Sequence, residues 1–181
     1  MMGFRFIIKA VAVAVVTAMP LIGSGAQAQT QSRVEAHRDW AVFEAGEGAQ
    51  KVCWIVSLPT EKTATRGGKP ADVNRGDIFL MVAVRPADGV KNEVSYISGY
   101  PFKQGSEVGV QVGSRGFTLF TEGENAWLPT PAEDDQAVAA FRAGATARIT
   151  GLSSRGTTTV DTFSLSGFTA AIRSATRRCG A

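Results

Sequence analysis

The sequence predicts an all-β fold: one antiparallel β-sandwich-like domain with one or two short helices. Short apolar or alternating segments recur between Gly and Pro turns from Trp40 to Leu128, and again from Ala145 to Leu165. That spacing is the mark of a sandwich or barrel. A single strongly capped helix begins at Thr130, and Phe168, Ala171, Ile172 and Ala175 fall at helical spacing near the C-terminus. There is no internal repeat and no second domain.

Taken in order, residues 29–36 are polar and read as a flexible, frayed N-terminus. Asp39–Glu44 is a first strand and Lys51–Leu58 a second, joined through Gly46 to Gly48 as a hairpin. In the second strand Trp54, Val56 and Leu58 share one face, and Cys53 and Ile55 the other. Residues 60–76, rich in turn formers, read as a long exposed loop. From Ile78 to Val84 the chain is continuously apolar, which implies a strand covered on both faces and stopped by Pro86. Ala87-Asp88-Gly89 turns into "NEVSYIS", another hairpin. Shorter strands follow at Glu107–Val112, Phe117–Thr121 and Asn125–Leu128.

Thr130-Pro131-Ala132-Glu133 is a capping box: a threonine cap, proline at the first helical position, and glutamate three residues after the cap. Ala137, Val138 and Phe141 give this helix its docking face, and Gly144 stops it. Ala145–Leu152 and Thr157–Leu165 resume as strands. In the latter, Phe163 and Leu165 facing inward would carry Asp161 and Thr159 inward as well, so Asp161 needs a partner, with Arg155 or nearby hydroxyls the candidates.

Residues 1–28 read as a cleaved signal peptide: Arg5 and Lys9, an apolar run from Ala10, and Ala26-Gln27-Ala28 before Gln29. The apolar run falls short of the roughly 20 residues that span a bilayer, and no later segment reaches it. The chain has 19 Lys+Arg and 16 Asp+Glu, net +3; Arg5 and Lys9 leave with the leader, so residues 29–181 carry +1. That balance gives no basis for nucleic-acid binding. In an exported chain the two cysteines, Cys53 and Cys179, are read as one disulfide in preference to two free thiols. It would pin a terminal helix to the second strand.

The remaining chemical motifs favour structural readings. Glu133-Asp134-Asp135 occupies a first helical turn, where the macrodipole favours negative charge. His37, the sole histidine, would have to serve any triad with Ser95, Ser98, Ser153 or Ser154, and no G-x-S-x-G elbow exists. A metal site lacks paired short spacings, and Gly67-Gly68-Lys69-Pro70 lacks the elements of a phosphate loop. No cofactor or metal is implied. Arg75-Gly76-Asp77 spells an adhesion tripeptide, but Asp77 leads into the apolar strand, favouring a turn role. Tyr100-Pro101-Phe102, followed by Lys103, is an aromatic corner read as core in preference to an exposed stacking platform.

Several segments together resemble one family. They are the Asp39-Trp40 strand, Lys51-Val52-Cys53-Trp54, the strand from Arg75 to Pro86, "NEVSYISGYPFKQGS", Ala126-Trp127, and above all "SSRGTTTVDTFSLSGFTAAI" before Cys179. Over residues 37–179 the chain is similar to the invasion-associated locus B family of exported bacterial proteins. The resemblance implies an all-β domain at residues 37–181, placed in the periplasm or at the cell surface. It implies no established enzymatic activity and supplies no catalytic residues.

The leading expectation is a non-catalytic envelope protein that binds an envelope or host protein or another envelope component. Its candidate contact residues are Arg66, Arg75, Asp77, Tyr100, Phe102 and Lys103, with the Arg173/Arg177/Arg178 end as a further surface. The rivals are a hydrolase of envelope polymers, depending on His37, and a carbohydrate-binding sandwich displaying Trp127 and Tyr100.

Overall fold

The computed structural model describes residues 31–181; the predicted leader over residues 1–28 lies outside the described residues. The chain runs β1 (Ser32–His37), β2 (Trp40–Ala45), β3 (Val52–Ser57), β4 (Glu61–Arg66), β5 (Lys69–Pro70), β6 (Phe79–Arg85), β7 (Val90–Ile97), β8 (Glu107–Val112), β9 (Arg115–Glu122) and β10 (Asn125–Trp127). Helix α1 (Pro131–Ala143), strands β11 (Thr146–Leu152) and β12 (Thr157–Ser164), and helix α2 (Phe168–Cys179) complete it. All strands join one sheet in the order β1-β2-β3-β6-β7-β10-β9-β8-β11-β12-β4-β5. Every pairing is antiparallel. The fold is thus mostly antiparallel sheet with two helices, sandwich-like as the sequence predicts.

A sheet this long must curl, because each strand twists relative to its neighbour. Here its two halves face each other. Phe163 of β12 meets Tyr96 of β7 edge-on with ring centroids 6.2 Å apart. At one end Trp40 donates its indole N–H to Ser164 O at 3.0 Å, and the Asp39 amide reaches Ser166 O. Both helices close the core. Phe168 of α2 stands edge-on to Trp40 and to Phe141 of α1. The inward faces are the ones periodicity selected: Ala137, Val138 and Phe141 on α1, and Phe168, Ala171, Ile172 and Ala175 on α2, all buried.

The α1 cap forms as a variant of the capping box. The Glu133 amide donates to Thr130 Oγ1 at 3.3 Å, while the Glu133 carboxylate accepts from the Thr130 hydroxyl at 2.8 Å instead of from its amide. The Cys53–Cys179 disulfide joins β3 to the last residue of α2, with Cα atoms 5.9 Å apart.

Three expectations are corrected. The segment read as frayed forms β1 from Ser32, because Val34 packs on the core and Glu35 is held by Ser174 and Arg178. The segment read as a 60–76 loop forms β4, which pairs with β12 along its length, and a short return strand β5. Exposed on nearly all of its residues and flanked on its outer side only by the two-residue β5, β4 carries charged and Thr residues, a composition that looks like loop. Third, the continuous apolar run is covered on one side only. Ile78, Leu80, Val82 and Val84 are buried, whereas Phe79, Met81 and Ala83 are half-buried on the opposite face.

Candidate binding surfaces

A cleft of about 470 Å³ opens between β4, the segment before β6, and the β11–β12 turn. Its floor is Arg75. The side chain is 8% exposed and donates two bonds to the Asp161 carboxylate, at 2.8 and 2.6 Å. It also reaches Ser98 O at 3.0 and 2.7 Å and Tyr96 Oη at 3.2 Å. Its guanidinium lies 5.0 Å from the Tyr100 ring centroid. The Tyr96 hydroxyl donates to Asp161, and Tyr100 Oη shares a bond with Thr159 Oγ1 at 2.6 Å.

Burial opposes the charge on Arg75, but the Asp161 hydrogen bond and carboxylate outweigh it and raise its pKa. Burial first, and then the Asp161 charge, push the Tyr96 hydroxyl far above its ordinary value, so it is a fixed donor. Burial likewise raises Tyr100. Asp161 therefore points inward as the alternation requires; its charged partner is Arg75, not Arg155, and a hydroxyl, that of Tyr96, also bonds it. The approach depends on Gly99, whose φ is +71°; a Cβ there would sit 2.6 Å from Gly76 O. That contact lets the Gly76 amide donate to Gly99 O at 2.9 Å and sets Arg75 over the β7 end.

Of the sequence-selected contact residues, Arg66, Arg75 and Tyr100 thus line one cleft. Arg75 and Tyr100 are buried in its wall, and Phe102 is 7% exposed in the core. Asp77 and Lys103 are exposed. With Arg75 turned inward and Asp77 outward, the tripeptide is not displayed as a unit. At the other proposed surface, Arg178 is engaged by Glu35 at 3.4 Å and Glu44 at 3.5 Å.

Arg66 differs from Arg75. Its Nε and Nη2 both donate to Thr157 Oγ1, a neutral oxygen, at 3.0 and 2.8 Å. Arg155, exposed in the β11–β12 turn, lines the same cleft. Among the described residues neither has a carboxylate within ion-pair distance.

A second surface escaped the sequence reading. Strand register aligns Ala41, Val56, Met81, Ser95, Trp127 and Phe120 in one row across β2, β3, β6, β7, β10 and β9. At the usual strand spacing the row runs roughly 24 Å. Beside it Phe43 stacks on Trp54 at 5.7 Å with planes 10° apart, and Ala83 continues that line. Phe120 is 48% exposed and Leu58 62%. The row ends at a cleft of about 710 Å³, where Phe120 and Trp127 meet Asp88, Glu122, Asp134 and Asp135. The signal for this surface was Ile78–Val84 itself, apolar on both faces.

The rival sites find less support. His37 Nε2 is 3.0 Å from Glu35 Oε1, a contact without hydrogen-bond direction. The Ser98 hydroxyl donates to Tyr100 O at 2.6 Å, and Ser153 Oγ accepts the Thr157 amide. Tyr100 is buried and Trp127 pairs with Phe120 at a 32° tilt, so no flat Trp127–Tyr100 platform exists. Among the described residues no cluster of three metal-ligating side chains occurs, and no helix is long and apolar enough to cross a membrane.

Comparison with curated proteins and with solved structures returns no significant match. A family model described as invasion associated locus B (IalB) protein matches residues 40–176, which takes in β2 to most of α2 and both surfaces. The chain belongs to the invasion-associated locus B family.

Proposed function

We propose that this is an exported, non-catalytic envelope protein that binds another envelope protein through the outer row of β2, β3, β6, β7, β10 and β9. The observation that carries the proposal is the apolar run at Ile78–Val84. Its inner residues are fully buried by this chain, while Phe79, Met81 and Ala83 stay half-buried on the opposite face. Contiguous apolar surface of this breadth is costly in water and is retained where a partner covers it. The acidic end at Asp88, Glu122 and Asp135 selects a partner whose apolar face is flanked by basic residues. The Ser98 and Ser153 side chains are engaged within the chain, which supports binding over hydrolysis.

The test is a photo-crosslinking residue placed at Met81 in cells, with Met81→Glu and Trp127→Glu as variants probed from a crosslinker at Val56. A discrete crosslinked envelope protein that is lost in both variants, while thermal stability is unchanged, supports the reading. A species of twice the chain mass would assign the face to a second copy, and a crosslinked host protein to an external partner. Either result overturns the envelope-partner proposal. So does the absence of any product across growth conditions.

A further inference from the structure

We infer that the cleft between Arg66 and Arg155 is a binding site for a phosphate group. The site shares no residue with the outer row, so the two proposals stand or fall separately. Arg75 at the cleft floor is spoken for: Asp161, Ser98 O and Tyr96 take its donors, and it contributes only a rigid wall. Arg66 is held in place by a neutral hydroxyl, so its position is fixed while its charge is uncompensated. Arg155 faces the same space from the neighbouring turn, joined by Ser154 and Asn74. Asp72 is the one carboxylate in the lining, against two guanidinium groups that have no ion-pair partner among the described residues.

The choice of anion follows from direction. Arg66 arrives from the end of β4 and Arg155 from the β11–β12 turn, with hydroxyl and amide donors between them. A planar carboxylate offers two oxygens in one plane and a single charge. A phosphate offers three oxygens in different directions and up to two charges, which suits two cationic groups reaching the cleft from separate elements. The volume of about 470 Å³ exceeds that of a bare ion, so the phosphate carries a polar body such as a sugar or a glycerol headgroup.

The test titrates inorganic phosphate into the purified full chain by calorimetry. In parallel the chain is sedimented with phosphatidylcholine vesicles with and without phosphatidic acid. Saturable binding is expected, weakened about tenfold by Arg155→Gln and again by Arg66→Gln, the scale of a lost charge-assisted contact. Arg142→Gln, an exposed arginine on α1, should leave it unchanged. Arg155 lies in an exposed turn, so its variant keeps the test valid if Arg66→Gln disturbs β4. Binding of free phosphate without vesicles places the group on a soluble ligand; binding of acidic vesicles alone places it on a lipid headgroup. Absence of both, or binding indifferent to Arg155→Gln, overturns the site.

Discussion

Arg75 and Asp161 tie the two halves of the folded sheet together. The guanidinium just before β6 grips the carboxylate of β12 through two bonds of 2.8 and 2.6 Å, with the Asp161 side chain fully buried. Removing one member strands the other without solvent. Arg75→Met is therefore expected to cost about 3–5 kcal/mol in denaturant unfolding. Replacing both, Arg75→Met with Asp161→Leu, should cost much less than the sum of the single changes. Strict additivity in that cycle would mean that the pair is not coupled.

The disulfide makes a separate prediction. Cys53 and Cys179 are 126 residues apart, so the bond closes nearly the whole domain. In the chain-entropy account a loop of this size restricts the unfolded state by about 5 kcal/mol. Cys53→Ala with Cys179→Ala should lower the unfolding midpoint steeply while leaving the strand signature in circular dichroism. A midpoint unchanged by reduction would show that α2 docks through Phe168, Ala171, Ile172 and Ala175 alone.

The sequence was most legible where one physical rule acted locally. Thr130 and Glu133 marked the α1 start, and apolar spacing marked the buried faces of both helices. Alternation also sent Asp161 inward. It could not name Arg75 as the partner, since those residues are 86 positions apart and meet only when the sheet folds over. Strand β4 was missed because a strand at the sheet margin needs no apolar face: its bonds go to β12 and the short β5 while its side chains stay in water. The outer row was visible as an apolar run, but a strand apolar on both faces reads alike whether its own chain or another molecule covers the second face. Arg66 and Arg155 share a cleft through the pairing of β4 with β12, which local patterns do not encode.

Asp134 predicts a pH dependence. Burial, and then the nearby Glu93, Asp135 and Glu133 carboxylates, raise its pKa from 3.8 to about 6, against the lowering effect of the Val94 amide bond. The folded state thus holds this proton more tightly than the unfolded chain does. Its stabilising contribution is full below about pH 3.8 and is lost as pH rises through about 6. Asp134→Asn keeps an oxygen to accept from Val94 N, at 2.8 Å in the native protein, and removes the charge. The variant should unfold at higher denaturant than the native chain at pH 8, with the difference closing by pH 4. A larger advantage at pH 4 than at pH 8 would reverse the assigned sign.

Gly99 tests whether the close backbone approach holds the Arg75 floor in place. Its φ of +71° disfavours any side chain, and a Cβ would lie 2.6, 2.8 and 2.9 Å from Gly76 O, C and N. These are backbone atoms, so no rotamer change relieves the clash. Gly99→Ala combines left-handed strain of about 1–2 kcal/mol with displacement of the Gly76 segment. The Gly76–Gly99 hydrogen bond and the Arg75–Asp161 pair sit on the same segment, so loosening one loosens the other. Gly99→Ala should therefore cost more than its local strain in the native background, and less when Arg75 and Asp161 are already replaced. Gly68→Ala serves as the control: φ is +76° there too, but nothing lies within 4 Å of the added methyl. Its cost should be the strain alone and should not change with the state of the ion pair. Equal costs for the two substitutions in the native background would show that contact with Gly76 adds nothing to the placement of Arg75.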